Sequence, residues 1–237
     1  MFSNSITSHH NVIRAVIVDL DGTMLDTAPD FHVAINRMRD EFDLAPIGQD
    51  QVAQMVGKGS EHLIRRVLGL DFDAARVEAR YGQAMAAYQQ HYQGINGQHS
   101  ALYHDVVTGL EDMLAQGLRL ACVTNKPMAF AAPLLALKGL AQYFEVVYGG
   151  DSLPRKKPDP MPLLQVCSDF GVQPGQVVAI GDSSNDAEAA RAAGCFVLTV
   201  PYGYNHGRPV HEIDSDGIVT TLLEAAALIR SHNITAD

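Results

Sequence analysis

Residues Ala15-Val16-Ile17-Val18-Asp19-Leu20-Asp21-Gly22-Thr23 form an apolar run that ends in two carboxylates one residue apart, then a glycine and a threonine. Small and β-branched apolar residues in succession predict a strand over about Arg14 to Asp19, buried on both faces as in the middle of a parallel sheet. Gly22 permits the sharp turn that ends it. The carboxyl end of such a strand is where open α/β sheets bind their ligands. Strand alternation places Asp19 and Asp21 on one side of the backbone. Neighbouring carboxylates stay ionised together only beside a positive charge, and a hard divalent cation such as Mg²⁺ supplies one.

Beyond this strand the hydrophobic period changes. From Phe31 to about Gln98 apolar residues recur at helical spacing: Phe31, Ile35, Met38 and Phe42, then Val52, Met55 and Val56, then Leu63, Ile64, Val67 and Leu68. Ala74 to Tyr92 is a longer helix rich in Ala, Gln and Tyr. No strand-like run interrupts this block, which predicts an inserted helical bundle. Ahead of it, Thr27 is a candidate N-cap, Pro29 fits a first turn, and Asp30 suits the helix dipole. Gly57-Lys58-Gly59-Ser60 is the bundle's one obvious loop. Lys58 there is read two ways, as a solvated lysine in a helix-breaking turn or as a cation within reach of a substrate anion.

After Leu102 strand and helix alternate to the end. Strands are predicted near Leu118–Thr124, Phe144–Tyr148, Val177–Ile180 and Phe196–Val200, with a short edge strand at Ile218-Val219. Helices are predicted near Val107–Gln116, Asn125–Lys138, Pro160–Phe170, Asn185–Ala193 and Leu222–Arg230. This order implies a parallel sheet with right-handed crossovers. The expected architecture is an α/β, Rossmann-like core of residues 1–25 and 102–237 carrying a helical domain of residues 26–101.

Three further strand ends carry polar groups. Val123-Thr124-Asn125 puts a hydroxyl and an amide ahead of a helix, where they either cap it or bind phosphate. Lys156-Lys157-Pro158-Asp159-Pro160 holds a lysine in a proline-stiffened approach. Gly181-Asp182-Ser183-Ser184-Asn185-Asp186 offers Asp182 as a third oxygen ligand beside Asp19 and Asp21, and Asp186 at a helix start.

Composition narrows the function. The 237 residues carry a formal charge of −10, which argues against a nucleic-acid partner. No long uncharged apolar run marks a membrane span, and no signal-like segment opens the chain, so the expected compartment is the cytoplasm. Cys122, Cys167 and Cys195 have no zinc-ligand spacing and read as reduced core thiols. The histidines, His9-His10 and His206 with His211 included, form no ligand pattern. The first ten residues or so are polar and expected to fray.

The four polar strand ends, in this order, resemble the haloacid dehalogenase superfamily of phosphohydrolases, and the helical insert is similar to that superfamily's C1 cap. The resemblance covers nearly the whole chain. Within the superfamily the chain is most similar to bacterial phosphoglycolate phosphatases, through Leu25-Asp26-Thr27-Ala28-Pro29-Asp30, Val56-Gly57-Lys58-Gly59, Val123-Thr124-Asn125-Lys126-Pro127 and Tyr202-Gly203-Tyr204-Asn205. It departs at Met161, where an acidic residue is usual, at Tyr103-His104-Asp105, where the second hinge lacks a proline, and at Met24, which replaces a leucine.

The resemblance implies Asp19 as a nucleophile that forms an aspartyl-phosphate, and Asp21 as the acid and then base. It implies Mg²⁺ held by Asp19, Asp182 and Asp21, the last through its main-chain carbonyl as well. Thr124, Asn125 and Lys157 would bind the phosphoryl oxygens, with Asp186 and Thr23 in supporting positions. The implied reaction is phosphomonoester hydrolysis, foremost of 2-phosphoglycolate to glycolate and phosphate. The alternatives are another small sugar phosphate or phosphotransfer of the β-phosphoglucomutase kind. A dehalogenase needs no second aspartate, a phosphonate-cleaving relative normally replaces it, and Asp21 counts against both. A non-catalytic module would usually have lost one of these aspartates. Lys58 and Arg65 are the cap candidates for a leaving-group carboxylate. A small phosphorylated metabolite is the expected partner, and the chain is expected to be a monomer or weak homodimer.

Overall fold

The computed structural model describes residues 11–236; the N-terminal segment expected to fray lies, through residue 10, outside the described residues. The central sheet has six strands: β1 (Ala15–Val18), β4 (Arg119–Val123), β5 (Val146–Tyr148), β6 (Val177–Gly181), β7 (Phe196–Thr199) and β8 (Gly217–Ile218). Their order is β5-β4-β1-β6-β7-β8, and every pairing is parallel. The chain thus builds outward from β1 in one direction, then returns to build from its other edge. That reversal opens a crevice at the carboxyl ends of β4, β1 and β6. Register fixes its depth, because Val18 faces Cys122 on one neighbour and Ile180 on the other.

β1 is buried on both faces, as its composition requires. Val16 and Val18 enter a core beneath α5 (Val106–Ala115), α6 (Met128–Leu137) and α9 (Leu222–Ala236), while Ala15 and Ile17 enter one beneath α7 (Met161–Phe170) and α8 (Ser184–Ala193). Cys122, Cys167 and Cys195 are free and buried. Among the described residues no helix is long and apolar enough to cross a membrane.

Between β1 and β4 lie α1 (Ala28–Asp40), α2 (Gln49–Ala53), α3 (Ser60–Leu68) and α4 (Ala74–Ile95). They enclose a third apolar core, which Phe130 and Tyr204 of the sheet domain also join. The chain enters and leaves this bundle through a ribbon that the sequence pattern does not announce. β2 (Leu25–Asp26) pairs antiparallel with β3 (Ala101–Leu102), Asp26 facing Ala101. Two-residue strands are too short to display alternation. Tyr103, in the segment that lacks a proline, packs on Tyr202, their ring centroids 4.2 Å apart.

Two local expectations change. Thr27 occupies the N-cap of α1, but its hydroxyl makes no capping bond and is buried without a partner. The helix expected from Asn125 starts at Met128, with Pro127 as its N-cap. Proline disfavours helical backbone at the residue before it, which leaves Thr124, Asn125 and Lys126 as a loop over the end of β4.

Asp30 fastens the bundle's two ends. It is fully buried and accepts hydrogen bonds from Gly97 N at 2.8 Å, His99 N at 2.7 Å and the Ser100 hydroxyl. Asp30→Ala strands these donors and is expected to cost about 3 kcal/mol. For a chain of this size that lowers Tm by roughly 6–12 °C, measurable by calorimetry; a change within 1–2 °C would show that water replaces the carboxylate.

Candidate active site

The residues singled out in the sequence converge at the crevice. Asp19 follows β1 directly, and its amide donates to Ile180 O on β6. The chain then turns tightly, Gly22 N donating to Leu25 O and both Met24 N and Leu25 N donating to Leu20 O. Gly22 has φ +84°, and a Cβ there would collide with the Asp182 carboxylate and the Tyr204 ring. Glycine is required both by the backbone and by the closeness of Asp182.

Asp19, Asp182 and Asp186 each present a carboxylate oxygen within 4.8 Å of the others. Lys157 Nζ is the counter-charge, 2.9 Å from Asp19 Oδ1 and 2.6 Å from Asp186 Oδ1, with Val123 O accepting at 2.6 Å. Asp186 also closes a capping box at α8, accepting from Ser183 N at 3.2 Å and from Ser183 Oγ at 2.6 Å. Asp182 accepts from Thr23 Oγ1 at 3.1 Å and from Tyr204 N. Asn125 donates to Lys157 O at 2.9 Å and to Gly57 O of the bundle at 3.0 Å. The Thr124 hydroxyl accepts from Lys126 N at 3.2 Å.

Three carboxylates and one ammonium leave negative charge uncompensated in a place largely shut off from water. Burial pushes the Asp19 carboxyl up to about 7 against the pull of Lys157. Burial, then Asp186 and Asp19, drive Asp182 well above the usual carboxylate range. Burial alone would lower Lys157, but Asp186 and Asp19 hold it protonated beyond the usual lysine range. Asp19 Oδ1 accepts no well-formed hydrogen bond. A crowded, all-oxygen, charge-deficient donor set fits a hard divalent cation.

Asp21 is set apart from this cluster. It accepts from Lys126 Nζ at 2.9 Å, and Lys126 also donates to the Tyr92 hydroxyl at 2.6 Å. The ammonium lies 4.3 Å from the Phe31 ring centroid and 4.8 Å from that of Tyr92, within cation–π range. In the sequence Lys126 is no more than part of a motif. Its signal is a lysine beside two strand-end polar residues, held out of the helix by Pro127. Asp19, Asp21, Thr124, Asn125 and Lys126 line one small cavity of ≈ 30 Å³, closed on its far side by Phe31, Ser60, Tyr88 and Tyr92 of the bundle.

Gly57 and Gly59 border the inner cavity, whereas Lys58 and Arg65 line an outer cleft of ≈ 630 Å³ with His62, Lys156, Arg208 and the active-site Lys157. The Arg65 guanidinium is 2.8 Å from Glu78 and 3.7 Å above the Tyr81 ring centroid. Burial and then Lys58 pull His206 in this cleft down to about 4, and His62 is lowered for the same first two reasons.

An α/β sheet with an acidic cluster and a buried lysine at its switch point, roofed by a helical insert, defines an enzyme of the phosphohydrolase kind. Comparison with known proteins agrees. The model of the haloacid dehalogenase-like hydrolases matches residues 16–200, and the chain belongs to that family. It is 48% identical over 217 residues to a phosphoglycolate phosphatase of Thiobacillus denitrificans, covering 92% of this chain and 96% of the relative. It is also 48% identical over 221 residues to one of Nitrosospira multiformis, covering 93% and 97%. A crystal structure of a predicted phosphoglycolate phosphatase from Haemophilus somnus superposes with a TM-score of 0.87 at 32% identity, covering 92% of this chain and 98% of that one.

The raised carboxyls set a pH dependence. A carboxyl whose folded pKa exceeds its unfolded value stabilises the fold below the unfolded pKa, and that stability is lost as pH rises through the folded pKa. For Asp19 the window runs from about 4 to about 7. A cation that binds the ionised form reverses the loss. At about a hundredfold excess over Kd, Mg²⁺ should add ~2.7 kcal/mol at pH 8, raising Tm by roughly 5–10 °C. At pH 5.5 the increment should fall below half, and Asp19→Asn should flatten the dependence. An increment independent of pH would separate Asp19 from the cation.

Proposed function

We propose that this chain hydrolyses a small phosphomonoester, foremost 2-phosphoglycolate, with Asp19 as nucleophile and Asp21 as acid and base. The observation that carries this reading is the pairing of the two aspartates with different lysines on one small cavity, beside a carboxylate cluster suited to a cation. Asp19 attacks phosphorus and becomes an aspartyl-phosphate. Asp21 protonates the departing alkoxide, then takes a proton from the water that opens the intermediate. Lys157, Thr124 and Asn125 steady the phosphoryl oxygens as charge develops. Asp19, Asp182 and the main-chain carbonyl of Asp21 would hold Mg²⁺, with Asp186 and Thr23 supporting them. When bound, it supplies the positive charge that lets an anionic nucleophile approach an anionic phosphate.

Residues 26–101 act as a cap that moves on the β2–β3 ribbon and excludes water when shut. The small cavity favours a leaving group of few atoms. Relatives named phosphoglycolate phosphatase support the substrate. Three buried free thiols support a reducing, cytoplasmic setting.

A phosphate-release screen over small phosphomonoesters with Mg²⁺, ranked by kcat/KM, is expected to place 2-phosphoglycolate first. A sugar phosphate at the head of the ranking would replace it. Chelation with EDTA should stop turnover and Mg²⁺ restore it. Asp19→Asn should reduce kcat by at least about 10⁴-fold while the fold persists by circular dichroism; substantial residual hydrolysis would place the nucleophile elsewhere.

A further inference from the structure

We infer that the carboxylate of the leaving group is recognised inside the small inner cavity by Lys126 and Tyr88, not in the outer cleft by Lys58 and Arg65. The inference rests on the phosphoglycolate reading and names residues that would select for that substrate.

The cavity wall holds two groups with unmet bonding capacity. An ammonium has three donors. Lys126 spends one on Asp21 and one on the Tyr92 hydroxyl, and among the described residues the third has no acceptor. The Tyr88 hydroxyl is fully buried and borders the same cavity. Ser60 is its polar neighbour there and acts on the phenol oxygen as a donor, while among the described residues the phenol's own O–H has no acceptor of good geometry. Buried polar groups in folded proteins almost always have partners, so two donors left unused on one cavity wall point to a ligand. Both can donate, and a carboxylate is acceptor-only with two oxygens to share between them. Phe31 and Phe130 beside them are apolar and offer no competing acceptor.

Position gives a second argument. Lys126 stands at the end of β4 on the sheet domain, and Tyr88 and Tyr92 lie four residues apart on α4 of the cap. A carboxylate held by both contacts the two domains at once, which it does only with the cap shut. A ligand that binds the closed state better shifts the population toward it. A neutral leaving group of equal size leaves a buried ammonium and a buried phenol unpaired, which is how a polar pocket rejects an analogue lacking the matching group. The outer cleft lacks this arrangement. Arg65 is already engaged by Glu78 and Tyr81, and Lys58 lines the outer cleft and not the cavity that Asp21 lines.

The test compares kcat/KM for 2-phosphoglycolate and for 2-hydroxyethyl phosphate, a neutral analogue of similar size, on the Mg²⁺-loaded enzyme. Wild type should prefer phosphoglycolate. Tyr88→Phe, which deletes one oxygen, should reduce the preference about tenfold, and Lys126→Met about a hundredfold or more. Glycolate binding measured by calorimetry should weaken in parallel in Tyr88→Phe, a readout that stands if Lys126→Met fails to fold. A wild-type preference left intact by Tyr88→Phe, or reduced only by Lys58→Ala, overturns this inference alone. A wild type that does not prefer phosphoglycolate overturns the substrate reading and this inference with it.

Discussion

Three carboxylates gathered at the sheet's switch point, two of them on a single lysine, are the constraint on which the rest of the structure depends. Taken alone the cluster is unfavourable, because burial penalises the charges of Asp19 and Asp182 and the Asp186 carboxylate raises both. The fold tolerates it by fixing the cluster from all sides. Gly22 and Gly203 let the backbone approach Asp182 where a Cβ would collide. Thr23 and Tyr204 donate to that carboxylate, and Ser183 to Asp186. Two apolar cores on the faces of the sheet supply the stability spent here. Strain and like charge kept at one place, with regular packing elsewhere, is the common pattern of a site kept for function.

The same residues join the cap to the sheet domain. Asn125 reaches Gly57 O with the amide that also holds Lys157 O. Lys126 reaches Tyr92 from its place on Asp21. The Tyr204 amide donates to Asp182 while its hydroxyl meets Asp26 and Ala28 N at the ribbon. Each of these contacts across the boundary passes through a residue at or beside the site. In this arrangement the hydrogen bonds that tie the helical bundle to the sheet domain run through the site residues themselves.

Much of this was legible because strands and strand ends obey short-range rules. An apolar run buried on both faces predicts a central parallel strand, and a carboxylate at its end predicts a switch-point site; Asp19 needed nothing more. Asp182 and Lys157 were legible as strand-end and proline-flanked residues. What stayed hidden depends on distance in three dimensions. Tyr88 and Tyr92 read as core residues of an Ala-rich helix, and nothing local says that one phenol meets a lysine 34 positions away while the other borders the same cavity beside Ser60. Asp30 looked like a helix-dipole residue, and its bonds to Gly97 and His99 appear only when the bundle's ends meet. Lys58 and Arg65 lie on the expected loop and helix, yet a one-residue alternation along Gly57-Lys58-Gly59 turns the lysine to the outer cleft.

The two lysines separate what the two aspartates can do. Asp19 shares Lys157 with Asp186 and lies against Asp182, so its oxygens sit where a cation and a phosphate would be drawn together. Asp21 pairs with Lys126, which the Tyr92 hydroxyl also engages among aromatic walls, and is not one of the three clustered carboxylates. Carboxylates one residue apart in sequence thereby acquire different surroundings, and different surroundings are how a pair of like groups comes to divide nucleophile from acid. The turn through Gly22 makes the division possible. A strand continued by two residues would have kept both carboxylates in one environment. Ending it at Val18 lets Asp21 swing to the β4 loop, where Pro127 has kept Lys126 out of the helix and within reach.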